Sequence, residues 1–175
     1  MFRRLFGRAA PPQPDTSDWW RDASSVSTDP QPDRIATLRA RVVDAATSPD
    51  MAESQEEMLD GLERLSALAQ QPALPVVPTQ HRVIGQSLCH FLAPASLIDQ
   101  VDASGKLFVT ADRLVFAAGQ VQQWPWHSVT ALTRADRDLL VVVRGRPDEV
   151  RLRLNTYGDA LEVMALAERL RANRP

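Results

Sequence analysis

Side chains able to hold a metal or move a proton are few in this sequence and poorly spaced for either task. Metal ligation would have to draw on His81, Cys89, His90 and His127. Their spacing matches no zinc-binding pattern, and the adjacent Cys89 and His90 point to opposite faces of a strand. They read as a half-buried thiol and ordinary histidines, so no metal or cofactor is expected. Glu53, Glu56, Glu57, Asp60 and Glu63 recur at helical spacing, which makes a solvated helix face rather than an acid–base pair in a cleft. The 7 glycines are scattered singly and form no phosphate-cradling loop. No nucleophile elbow is present. The chemistry on offer is therefore recognition, and the chain is not expected to be an enzyme.

Two groups of side chains are candidates for contact with a partner or a lipid. Near the N-terminus, Phe2, Leu5 and Phe6 lie at i, i+3, i+4, so a helix would set them on one face beside Arg3, Arg4 and Arg8. Such a segment is either a weak interfacial membrane contact or a frayed terminus. Further on, Lys106, Arg144 and Arg146 stand near turns, with Asp148 and Glu149 offsetting the two arginines. Phe2, Arg3, Arg4, Phe6, Lys106, Arg144 and Arg146 are thus the candidate contact residues. Trp124 and Trp126 share a strand face at i, i+2, which favours core or rim packing over ligand stacking. Trp19-Trp20 interrupts a polar stretch and is expected to dock onto the body of the chain or onto a partner.

A chain of 175 residues can build one domain with a substantial core plus an appendage. Its hydrophobic share, 44%, is ordinary for a globular protein. The net charge of -2 combines an acidic middle with a slightly basic C-terminal part, and neither points to nucleic acid. One cysteine excludes an internal disulfide and fits a reducing compartment. No apolar run approaches the ~20 residues of a membrane-spanning helix. The basic start lacks the apolar stretch of a secretory signal. A cytoplasmic protein is expected, with peripheral attachment to a membrane as the alternative.

The elements that must position these residues fall into four parts. Residues 1–32 are rich in Pro, Asp and Ser and read as a disordered tail. Residues 33–71 read as a helical hairpin. Ile35, Leu38 and Val42 mark a first helix over 33–47, and Met51, Met58, Leu59, Leu62, Leu65 and Ala69 mark a second from about Pro49 to Gln70. Ser48-Pro49-Asp50 supplies its N-cap, first-turn proline and early acid. The narrow apolar seams of the hairpin either pack internally or offer a surface for a protein partner or a homodimer. Residues 72–80 form a Pro-rich connector, taken as the domain boundary.

From His81 the hydrophobic period shortens towards two. Leu88–Leu92 and Ser96–Val101 read as strands separated by Pro94. Leu107 and Val109, then Leu114 and Phe116, give two strands around a tight turn at Thr110-Ala111-Asp112. Pro125 argues for an edge strand or a bulge. Ser128–Thr133 reads as a short strand or turn, and Arg134–Asp138 as a charged turn. Leu139–Val143 is a continuous apolar run, as in a strand buried on both faces. Val150, Leu152 and Leu154 alternate with Arg151 and Arg153. A closing helix shows Ala160, Val163, Leu166, Ala167 and Leu170 on one face, with capping-box spacing from Thr156 to Asp159.

About seven antiparallel strands closed by one helix is the order of a PH-like β-barrel, an α+β fold. Gly105-Lys106-Leu107-Phe108-Val109-Thr110-Ala111-Asp112-Arg113-Leu114-Val115-Phe116, then Trp126-His127-Ser128-Val129 and the helix after Asn155, resemble the GRAM-like bacterial branch of the PH-like superfamily. The resemblance covers about residues 81–172, within a domain taken as 81–175, and leaves out the N-terminal helices. It implies a non-catalytic binding or adaptor module. Members bind membrane lipids, phosphorylated head groups or peptides. The Asp102–Gly105 turn contributes an acid where clustered lysines and arginines would hold phosphate. A protein partner is therefore the first expectation and anionic lipid the second.

Overall fold

The computed structural model describes residues 16–44, 46–98 and 103–172. Three helices come first: α1 (Ser17–Thr28), α2 (Pro32–Arg39) and α3 (Pro49–Ala69). Seven strands follow: β1 (Cys89–Leu97), β2 (Ser104–Thr110), β3 (Arg113–Ala117), β4 (Val121–Pro125), β5 (Val129–Ala135), β6 (Asp138–Val143) and β7 (Val150–Leu154). Helix α4 (Tyr157–Ala172) ends the order. Among these residues no helix is long and apolar enough to cross a membrane.

All strand pairs are antiparallel, in the order β4-β3-β2-β1-β7-β6-β5. β4 and β5 are the edges and do not pair, so the sheet is open. Leu107, Val109, Leu114, Phe116, Leu139, Val141, Leu152 and Leu154 form its buried inner face. Ala160, Val163, Leu166, Ala167 and Leu170 of α4 pack onto that face. Burying each large aliphatic side chain contributes roughly 1.5–3 kcal/mol, which makes this layer the main source of cohesion. Asp159 N–H donates to Thr156 Oγ1 at 2.9 Å, so the expected cap forms. Seven antiparallel strands and one C-terminal helix are the expected order, in a sheet that stays open where a closed barrel was expected.

The β2–β3 turn is held by Thr110. Its hydroxyl lies 2.9 Å from the Asp112 carboxylate and 2.7 Å from the Arg113 carbonyl, and it accepts the Arg113 N–H at 3.2 Å. Trp124 and Trp126 are both buried, and Trp126 Nε1–H donates to the Thr110 carbonyl at 2.9 Å. β4, which carries Pro125, is an edge strand as expected.

Several expectations need correction. Pro94 does not end a strand: β1 runs straight through it, pairing Pro94 with Lys106. Pairing of β1 with β7 begins only at Ala95, so the missing proline N–H leaves no bond to β7 unmade. β6 is not buried on both faces: Val142 is 39% exposed while Leu139 and Val141 are fully covered. Residues 129–135 form a full strand, and the turn narrows to Asp136 and Arg137.

The tail also differs. Residues 1–15 lie outside the described residues, but 17–28 form α1 rather than a disordered stretch. Trp19, Ala23 and Val26 recur at i, i+4, i+7 and pack with Ile35, Leu38, Met58, Leu59 and Leu62. Trp19 Nε1–H donates to the Leu38 carbonyl at 3.0 Å, so docking is intramolecular. The prolines that suggested disorder stand outside this apolar stripe. Helix α2 stops at Arg39, short of residue 47; beyond it the Val43 N–H turns to Gln55 Oε1 at 2.9 Å.

The helices do not form a separate unit. Leu161 of α4 joins the helical core with Leu59, Leu62 and Leu65, so α4 serves two cores from two faces. Where α3 crosses α4, a Cβ placed on Gly61 would fall 2.5 Å from Gly158 Cα. The connector is not a free linker either. Val77 N–H donates to the Cys89 carbonyl at 2.8 Å, and His90 Nδ1 lies 2.7 Å from the Pro75 carbonyl. Ile84, with Val77 and Val83 beside it, covers Cys89, Phe108 and Val115 on the outer face of the sheet.

Candidate binding cleft between the helices and the sheet

Joining helices to sheet at the Gly61–Gly158 crossing leaves a cleft beside the contact. Its volume is about 680 Å³. Helix α1 supplies Trp20 and Ser24, one turn apart on one face. The start of α3 supplies Thr47 to Met51, then Ser54 and Met58. The end of β5 supplies Arg134, the turn after it Asp136, and α4 supplies Tyr157. Asp136 has φ 54°, a left-handed conformation that Asp tolerates better than most residues.

The aromatic wall is built by stacking. The ring centroids of Trp20 and Tyr157 are 5.3 Å apart, and Trp19 meets Trp20 edge-on at 4.9 Å. The Arg137 guanidinium lies 4.7 Å from the Tyr157 ring centroid and pairs with Glu57 at 2.8 Å. Tyr157 is therefore oriented by contacts from α1, α3 and the β5–β6 turn together. Arg134 donates to the Asp136 carbonyl at 2.7 Å. Burial pushes its pKa down, against the opposing pull of Asp136. The lining thus combines a half-buried cation, the acids Asp50 and Asp136, hydroxyls of Ser24, Thr47, Ser48 and Ser54, and the adaptable thioether of Met51, with the buried Met58 as its floor. Ser48 occupies the N-cap position of α3 but makes no side-chain cap bond.

Such a lining can hold an extended chain through polar contacts and apolar anchors. It offers no paired acid and base. Among the described residues, no group of three or more His, Cys, Asp or Glu could hold a metal ion.

Of the candidate contact residues, Phe2, Arg3, Arg4 and Phe6 lie outside the described residues. Lys106 is exposed on β2, between Pro94 and Ala117. Arg144 and Arg146 are exposed on the β6–β7 hairpin, where Gly145 has φ 82°. Strand β1 lies between β2 and that hairpin, so Lys106 is not on a strand paired with the two arginines' hairpin. Arg146 borders a second hollow, of about 700 Å³, with Val142, Pro147, Asp148, Glu149 and Arg151. The sequence reading missed the cleft residues Met51, Arg134, Asp136 and Tyr157; only the Trp19-Trp20 doublet signalled this region.

A second unforeseen group is Asp138, buried under two arginines. Arg151 Nε–H donates to its Oδ2 at 2.6 Å, and Arg153 donates to Oδ1 at 2.7 Å and Oδ2 at 3.0 Å. The Arg153 hydrogen bonds come first among the causes that hold this carboxyl below the usual range, and Arg151 adds to them against desolvation. This group ties β6 to β7 rather than serving a ligand.

No protein-family model matches the chain, and no curated protein matches it. Among solved structures, it is similar to the DH/PH domain of human ARHGEF11 in a ternary complex with human RhoA and its inhibitor, at 12% identity over 91% of this chain and 55% of that one, with a TM-score of 0.44. It is also similar to the PDZ-RhoGEF DH/PH domains in complex with GTP-gamma-S activated RhoA, at 13% identity, 91% and 55% coverage and a TM-score of 0.45. A third is an N-terminally truncated linker-DH/PH fragment of p115-RhoGEF, at 9% identity, 91% and 56% coverage and a TM-score of 0.43. The chain spans about half the length of these structures.

Proposed function

We propose that this chain is a non-catalytic, cytoplasmic PH-like module that binds a protein partner through an extended segment of that partner, held in the cleft between helices and sheet. The observation that carries this reading is the cleft of about 680 Å³, with Trp20, Tyr157 and Met51 as anchors among hydroxyls and Arg134. Concave sites that mix apolar walls with a few placed polar groups are where ligands are held. The GRAM-like affiliation belongs to this proposal and rests on the Gly105–Phe116 pattern. A homodimer joined by the helical hairpin is a further arrangement this reading allows.

A second reading is attachment to anionic lipid. It is favoured by one hairpin that exposes Arg144 and Arg146 next to Val142, which is 39% exposed. The two readings separate in one set of assays on the full chain. A displayed random-peptide library is selected against it, and its co-sedimentation with phosphatidylserine vesicles is measured in parallel. Selected peptides that bind the unchanged chain and lose affinity for Met51→Arg support the cleft. Peptides indifferent to Met51→Arg, or an empty selection, refute it. Vesicle binding abolished by Arg144→Glu with Arg146→Glu would install the lipid reading instead.

A further inference from the structure

Helix α1 begins at the cleft. Trp20 and Ser24 lie at i, i+4 on one face of α1 and line the cleft, and Thr16 stands at the N-cap position just before the helix. Thr16 Oγ1 lies 3.5 Å from Met51 Sδ, and Met51 is part of the same lining. The chain preceding Thr16 therefore starts from the cleft's rim. Those 15 residues lie outside the described residues. Their sequence has two parts: Met1 to Arg8 with Phe2, Leu5 and Phe6 among Arg3, Arg4 and Arg8, then Ala9 to Asp15 with Pro11, Pro12 and Pro14.

From this juxtaposition we infer that residues 1–8 are an intramolecular occupant of the cleft and compete there with the partner segment. The inference rests on the cleft being a peptide site, as proposed above. Chemistry supports it from both sides. Phe2, Leu5 and Phe6 are anchors of the kind that Trp20, Tyr157 and Met51 can accept. The lining carries Asp50 and Asp136 against one cation, Arg134, and exposed Glu53 stands one turn along α3 from Asp50. That balance favours a segment with three arginines over an acidic one. Arg137, the other cation nearby, is committed to Glu57 and Tyr157.

Reach supports it too. The Pro-rich stretch 9–15, if extended at about 3.1 Å per residue, spans roughly 20 Å, enough to fold back from Thr16 into an adjacent cleft. A short tether of this kind gives an effective concentration on the order of millimolar. A segment of ~0.1 mM intrinsic Kd would then lower the apparent affinity of a competitor about tenfold.

The test uses the full chain and, as probe, a labelled peptide of residues 1–10. Two chains are compared, one unchanged and one carrying Leu5→Asp with Phe6→Asp. The peptide is expected to bind the substituted chain about tenfold more tightly, and adding Met51→Arg is expected to abolish that binding. Equal affinity for the two chains, no binding to either, or binding indifferent to Met51→Arg overturns the inference. A second measurement does not depend on affinity. Phe6→Cys paired with Ser54→Cys should form a disulfide within one chain faster than Phe6→Cys paired with Thr133→Cys. Equal rates, or disulfides only between chains, overturn the inference. Library peptides that bind the cleft of the substituted chain where the 1–10 peptide does not would leave the partner reading standing without this one. The converse would remove the foreign partner and keep the intramolecular occupant.

Discussion

Replacing Gly61 by alanine should loosen the joint between helices and sheet. The added Cβ would fall 2.5 Å from Gly158 Cα and 3.1 Å from Leu161 Cδ1. Carbon atoms rest about 3.5–4.0 Å apart, so the helices must separate by roughly 1 Å. The obstructing atom is backbone and cannot rotate away. A gap of that size forfeits about a quarter to a half of each affected dispersion contact, and Leu161 packs here with Leu59, Leu62 and Leu65. Overpacking of this kind costs about 1–3 kcal/mol, occasionally more. Alanine returns about 1 kcal/mol through helix propensity. With a backbone obstruction the upper part of the range applies, and a net loss of about 2 kcal/mol is expected. At a urea dependence of about 2 kcal/mol per molar, the unfolding midpoint should fall by about 1 M. Gly158→Ala is the internal comparison. Its Cβ would meet the end of the Arg64 side chain, which is 45% exposed and able to swing out, with Gly61 Cα 3.0 Å away. The ion pairs of Arg64 join an exposed cation to the mostly covered acids Asp159 and Glu162, so this variant should lose about 1 kcal/mol, less than Gly61→Ala. Urea titration followed by tryptophan fluorescence measures both. A Gly61→Ala chain as stable as the parent, or no weaker than Gly158→Ala, would refute the close crossing.

Two further outcomes follow from the fold. Asp138 has a depressed folded pKa, so its contribution is complete above the unfolded value near pH 4 and is lost as the pH falls through the lower folded value. Asp138→Asn should therefore lower stability by about 1–3 kcal/mol at neutral pH. The gap should narrow at about pH 3 and below; urea midpoints showing a pH-independent gap would contradict this. Trp19→Ala removes a buried ring and its bond to Leu38, and should destabilise the chain by about 3–5 kcal/mol, with faster amide exchange in α2 and α3. Unchanged stability would mean that residues 17–28 are a detached tail after all.

The strands were legible where neighbouring residues alternate, as in Val150 to Leu154, and the α4 face from Ala160 to Leu170 was read residue by residue. Pro94 misled because a proline's effect depends on whether a partner needs its N–H, and pairing is not local information. Val142 misled because a continuous apolar run does not say which face will be covered. The stripe of Trp19, Ala23 and Val26 was hidden by the compositional bias of the prolines around it. The cleft was scarcely legible at all. Its lining comes from α1, α3, the β5–β6 turn and α4, each unremarkable alone.

What the sequence determined by itself is the order from β2 to α4 and the inward faces of β2, β3, β7 and α4, because periodicity records which side of a helix or strand avoids water. It also excluded a standard metal or phosphate motif, since those demand particular residues at particular spacings. Tertiary structure alone decided that the helices share α4 with the sheet, that the connector covers Phe108 and Val115, and that Trp20 and Tyr157 stack into one wall of a cleft that Arg134 also lines. Those relations join residues far apart along the chain. They depend on how closely two backbones can approach, which at the α3–α4 crossing is set by the pair Gly61 and Gly158.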